Sequence, residues 1–123
     1  MRLAIVLSLT AIAALCLILQ YRRPKGTTLH YFRGFLVGYL SLLVVVLNTY
    51  YISSQRGLTW DTAFIVHTTL GGIFILSWLV TIIFGLTMRV NARFRVYHRT
   101  GAHITTIFFC LSLLAATLVR FLR

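Results

Sequence analysis

Acidic side chains are almost absent from this chain. Among its 123 residues, Asp61 is the only carboxylate. One carboxylate makes no acid/base pair, no two-metal site and no carboxylate-lined ion path. Proline is as scarce, with Pro24 alone, and no low-complexity stretch divides the chain, so one domain is expected. The two cysteines, Cys16 and Cys110, share no CxxC spacing and read as small residues facing lipid or a helix. Neither a phosphate loop nor a dinucleotide fingerprint is present. An autonomous hydrolase is therefore not expected, and the balance is against independent catalytic activity.

What the sequence has is apolar surface. Hydrophobic residues make up 59% and charged ones 11%, with a mean hydropathy of +0.92. A soluble domain of this length has no core large enough to hide so much, which places the chain in the membrane class. Four apolar runs stand out, at 3–19, 35–52, 63–86 and 102–119. About 20 helical residues at 1.5 Å each cross a hydrocarbon layer of about 30 Å. Spanning strands would be about 10 residues long and alternate in polarity. The runs do neither, so helical spans are expected at about 3–20, 31–52, 62–87 and 101–119. The third and longest should tilt. The first is longer than the apolar part of a signal peptide and lacks a small-x-small cleavage site, so it reads as an ordinary span.

The formal net charge is +11, yet the basic residues do not form a nucleic-acid face. They lie in the short connections, where they meet lipid headgroups and set topology. Arg22, Arg23, Lys25 and Arg33 surround loop one, and Arg89, Arg93, Arg95 and Arg99 surround loop three. Loop two offers Arg56 against the single acid Asp61, and Arg2, Arg120 and Arg123 lie near the ends of the chain. Eight positive side chains thus oppose four, which puts loops one and three in the cytoplasm of a cell inner (plasma) membrane and both termini outside. Pro24 and Gly26 supply a turn in loop one. Asp61 reads as the N-cap of the third helix. Trp60, Tyr50 and Tyr51 fit an outer aromatic belt, and Tyr21, Tyr31 and Tyr97 an inner one. Ser41, Ser77, Ser112 and the threonines are expected to bond backbone within their own helices.

All four histidines lie where a span begins. His30 opens the second, His67 the third, and His98 and His103 the fourth. Glycines accompany them: Gly34 and Gly38 follow His30 at one-turn intervals, and Gly71 follows His67, with Phe74 and Trp78 continuing that stripe. The segments "LHYFRGF" (29–35) and "YHRTGAH" (97–103) resemble each other, so the chain reads as two similar helical hairpins. Two readings compete. In one, interfacial histidines snorkel and the glycines serve helix packing alone. In the other, ionisable residues at membrane depth mark function, Gly34, Gly38 and Gly71 leave room for a flat ligand, and imidazole is the usual axial ligand of haem in a helical bundle. His30 with His98 or His103 would then clamp haem b, and Arg33 and Arg99 would meet its propionates. His98 is favoured, because it mirrors His30 and has an arginine beside it. A bare metal ion is a further option, as is a quinone or another tetrapyrrole near His67.

The arrangement "RR…H…RG" before the second span, "HTTLGG" opening the third and "RVYHRTGA" opening the fourth resembles a small bacterial membrane family. That family includes maturation proteins for haem–copper cytochrome oxidases. His30, His67 and His98 fall where it has histidines, while Tyr50 or Tyr51 stands where it has a further one. A looser likeness runs to cytochrome b561-type bundles, in which histidines on neighbouring helices hold haem b. The expected architecture is all-α, a four-helix transmembrane bundle running up and down. The expected role is a small multi-pass component of a respiratory or electron-transfer complex that binds haem b. The alternative is a cofactor-free structural subunit or assembly factor. In either case the partners are the lipid bilayer and a larger membrane complex, met inside the membrane, with no nucleic acid.

Overall fold

Pro24 lies outside every apolar run, so nothing in those runs interrupts an i to i+4 ladder, and each run folds as one long helix. The computed structural model describes residues 2–22, 28–55 and 62–122. Its elements are α1 (Arg2–Arg22), α2 (Thr28–Gln55), α3 (Thr62–Thr87), a 3-10 turn (Ala92–Phe94) and α4 (Arg95–Leu122). The expected all-α, four-helix architecture is what the chain adopts, and no strand occurs among the described residues. All four helices are long and apolar enough to cross a membrane, over Ala4–Arg22, Thr28–Asn48, Phe64–Thr87 and Ala92–Leu118.

The chain divides into two compact units, Met1–Leu58 and Thr59–Arg123. In the first, α1 packs along α2; in the second, α3 packs along α4. Large apolar side chains such as Leu76, Ile83 and Leu118 remain more than half exposed, as helices bathed in lipid require. The first unit buries Ala13 and Cys16 on α1 with Arg33, Val37 and Gly38 on α2. Cys110, by contrast, is exposed on α4. Ser41 Oγ and Ser77 Oγ donate to carbonyls of their own helices, those of Val37 and Phe74.

The boundaries differ most at α4. The sequence places its start near 101, but the helix begins at Arg95. The connection from α3 is tight. Arg89 N–H donates to the Leu86 carbonyl, Val90 and Asn91 N–H both donate to that of Thr87, and Asn91 Oδ1 accepts from Arg93 N–H. Gly101, expected at a helix opening, is instead inside the helix and in contact with Thr81 of α3. Similarly, α2 runs from Thr28 to Gln55, beyond the expected 31–52. The Pro24–Gly26 turn, the Asp61 N-cap, Trp60 and Tyr51 fall outside the described side chains.

Candidate functional site

The α3/α4 seam is read from one end to the other by its contacts. His67 Nδ1 lies 3.3 Å from the Ser112 carbonyl, and a Cβ on Gly71 would stand 3.6 Å from Ser112 Oγ. Next, Phe74 tilts on Phe109 at 5.4 Å between ring centroids. Then Thr81 Oγ1 pairs with Thr105 Oγ1 at 3.1 Å. Finally, His98 Nδ1 lies 2.9 Å from the Thr81 carbonyl. As the α3 partner advances the α4 partner retreats, so the two helices are antiparallel.

The polar centre of this seam is satisfied. Thr81 Oγ1 donates to the Ser77 carbonyl at 2.7 Å, so its proton is committed and Thr105 donates to it. Both threonines are buried. Gly101 makes this possible, because a Cβ there would come within 2.6 Å of Thr81 Oγ1.

The two histidine contacts are reciprocal. His67 of α3 reaches the carbonyl of Ser112, and Ser112 lies fourteen residues after His98. His98 of α4 reaches the carbonyl of Thr81, and Thr81 lies fourteen residues after His67. Fourteen helical residues span about 21 Å and return to nearly the same face. Each ring therefore closes one end of the helix pair. A carbonyl can only accept, so Nδ1 carries the proton on both rings and Nε2 is the basic nitrogen of the neutral form.

Small residues admit the rings. Gly85 is buried, four residues after Thr81, and a Cβ there would lie 3.0 Å from both Cε1 and Nδ1 of His98. Ala116 occupies the matching place after Ser112. Gly71, expected to leave room for a flat ligand, faces the Ser112 side chain across the α3/α4 seam. Gly34 is half-buried and Gly38 buried on α2.

The remaining expected residues lie elsewhere. His30 is half-buried on α2, with its ring edge-on to Tyr31 at 5.9 Å. Arg33, 8% exposed, directs Nη1 to the Leu19 carbonyl of α1 at 3.5 Å. That carbonyl belongs to the last turn of α1, where a cation suits the helix dipole. Arg99 and His103 are exposed on α4. His98 and His103 sit on one continuous helix, five residues and about 140° apart, so they cannot share one axial position. Among the described residues no three of His, Cys, Asp and Glu gather into a group that could hold a metal ion, which leaves a bare-ion site without a ligand set there.

Gly85 is not among the residues expected from the sequence, and Ser112 and the threonines, Thr81 and Thr105 among them, are expected only to bond backbone within their own helices. The signal is a pattern shared by α3 and α4, His-x13-[Ser/Thr]-x3-[Gly/Ala], repeated at an interval of 31 residues. Comparing the openings of α2 and α4 passes it over, because the repeat lies between α3 and α4.

The helices and their spans define a small multi-pass membrane protein whose second hairpin is closed at both ends by histidine–carbonyl bonds. No protein-family model, curated protein or solved structure matches the chain.

Proposed function

We propose that this chain is a small multi-pass membrane component of a respiratory or electron-transfer assembly that holds haem b. His98 would hold it, and the sequence offers His30 as the second candidate ligand. The observation that carries the reading is how His98 is held. Its Nδ1–H is tied to the Thr81 carbonyl and its ring is seated against Gly85. Ligating histidines as a rule donate their other ring N–H to a carbonyl or carboxylate, which fixes the tautomer and raises the basicity of the ligating nitrogen. His98 meets that requirement in its own hairpin, so its Nε2 suits an axial ligand. The assignment of His30 rests on sequence, on its matching place at the opening of α2 with Arg33 and Gly34 following. Arg99 and Arg33 would meet its propionates by charge-assisted hydrogen bonds. When bound, haem supplies a one-electron redox centre. The charge pattern supports a cytoplasmic position for the His98 end in a cell inner membrane, and the resemblance to the family of oxidase-maturation proteins supports a respiratory role.

One observation favours a second reading. His67 makes the same kind of bond at the opposite end of the seam, so both bonds have a sufficient role in closing a hairpin. In that case the chain is a cofactor-free structural subunit or assembly factor. Alanine replacement of His30, His98 and His103, one at a time, separates the two. Loss of bound haem with the first two but not the third is the expected result. Loss with His103 transfers the ligand role, and absence of haem from the unmodified protein leaves the structural reading.

A further inference from the structure

The turn joining α3 to α4 is ordered, basic and partly apolar at its surface, a combination that a loop facing only water does not need. Phe84, near the end of α3, stacks on Phe94 with centroids 5.9 Å and planes 22° apart. It stacks equally on Tyr97, at 5.4 Å and 26°. Phe94 N–H donates to the Asn91 carbonyl, and Asn91 Oδ1 accepts from Arg93 N–H, each at 3.2 Å. The aromatic trio and the Asn91 bonds therefore pin residues 91–97 in one conformation. On this frame Arg89, Arg93 and Arg95 are exposed. Among them stand Val90, 92% exposed, and Val96, 70% exposed. No acidic residue occurs anywhere in the α3–α4 connection.

Each feature points to the same chemistry. Guanidinium groups bind phosphate oxygens through paired N–H donors. Exposed valines beside them suit the boundary at which acyl chains meet headgroups, whereas a nucleic acid offers them nothing. The positive end of α4 falls at Arg95 and adds to the same field. A frame fixed in advance loses little freedom on binding. We propose that this turn is a defined site for an anionic phospholipid. Arg93 and Arg95 hold the phosphate with Arg89 beside them, and the acyl chains lie against Val90 and Val96. The site stands apart from the haem reading and does not depend on it.

The test uses the full chain in mild-detergent micelles doped with either phosphatidylglycerol or phosphatidylcholine, with retained lipid counted by native mass spectrometry. The expected result is preferential retention of a phosphatidylglycerol molecule. The double change Arg93→Gln/Arg95→Gln should weaken it about 25-fold, on the order of fivefold for each arginine. Arg22→Gln should change the tightest-bound lipid less than twofold. Phe94→Ala keeps every charge but unpins the turn, and should weaken retention severalfold. Equal retention of the two lipids, or unchanged retention in the arginine variant, overturns the proposal. So does an unaffected Phe94→Ala, which would reduce the site to a diffuse charge field. If the double variant does not fold, each single arginine change decides on its own by the fivefold expectation.

Discussion

Replacing Gly85 by alanine adds one methyl group at the place where the His98 ring lies. The new Cβ would stand 3.0 Å from Cε1 and Nδ1 of that ring, closer than carbon normally comes to either atom. Ordinary contact begins about 0.5 Å further out, so the ring must withdraw by roughly that distance. Its bond to the Thr81 carbonyl, now 2.9 Å, then stretches to the edge of usefulness. Overpacking of this kind costs about 1–3 kcal/mol, and an interhelical hydrogen bond in a membrane protein contributes about 0.6–1.7 kcal/mol. Against this, alanine is the better helix former by up to about 1 kcal/mol. Gly72→Ala on the same helix carries that gain alone, because nothing lies within 4 Å of its would-be Cβ. The difference between the two variants therefore isolates the clash, and about 2 kcal/mol is expected. Reversible unfolding in mixed micelles measures it, followed by helical circular dichroism. Repeating the pair in a His98→Ala background should abolish the difference, since the obstructing ring is gone. Equal shifts in Gly85→Ala and Gly72→Ala would refute the claim that this glycine exists to seat the imidazole.

Gly101→Ala should be worse than Gly71→Ala by about 2 kcal/mol, because its Cβ would meet Thr81 Oγ1 at 2.6 Å whereas that of Gly71 meets Ser112 Oγ at 3.6 Å. Thr81→Ala should recover much of that loss, and the same unfolding assay reads both. The orientation is checked with an impermeant thiol reagent after Cys16 and Cys110 are replaced by alanine. A cysteine at Thr62 should be labelled from outside and one at Ala92 should not; the reverse pattern inverts the topology.

Apolar runs long enough to cross a membrane have few alternatives to helix, which is why α3 begins and ends at the expected 62 and 87. The start of α4 was harder to read. "RFRVYHRTG" is polar and contains a glycine, so hydropathy assigns it to a loop. The structure makes it helical because Tyr97 stacks on Phe84, His98 bonds Thr81, and Gly101 receives the Thr81 hydroxyl. These are tertiary contacts that no local window records. For His67 and His98, residue type and position were legible, but the partner atoms were backbone carbonyls. A carbonyl belongs to every residue and leaves no compositional trace. What marks those places in the sequence is Gly85, small where the His98 ring must pass, and the His-x13-[Ser/Thr]-x3-[Gly/Ala] spacing that α3 and α4 share.

His98 has a carbonyl behind it and a glycine beside it, the setting proposed above for a haem ligand. The reduced-minus-oxidised absorption spectrum of the full chain, purified from haem-sufficient cells, tests that proposal most directly. The account expects the sharp reduced bands of a bis-histidine haem, with His98→Ala losing them while its far-ultraviolet circular dichroism stays helical. A colourless protein that takes up no added haemin, or a spectrum unaltered by His98→Ala, would contradict it.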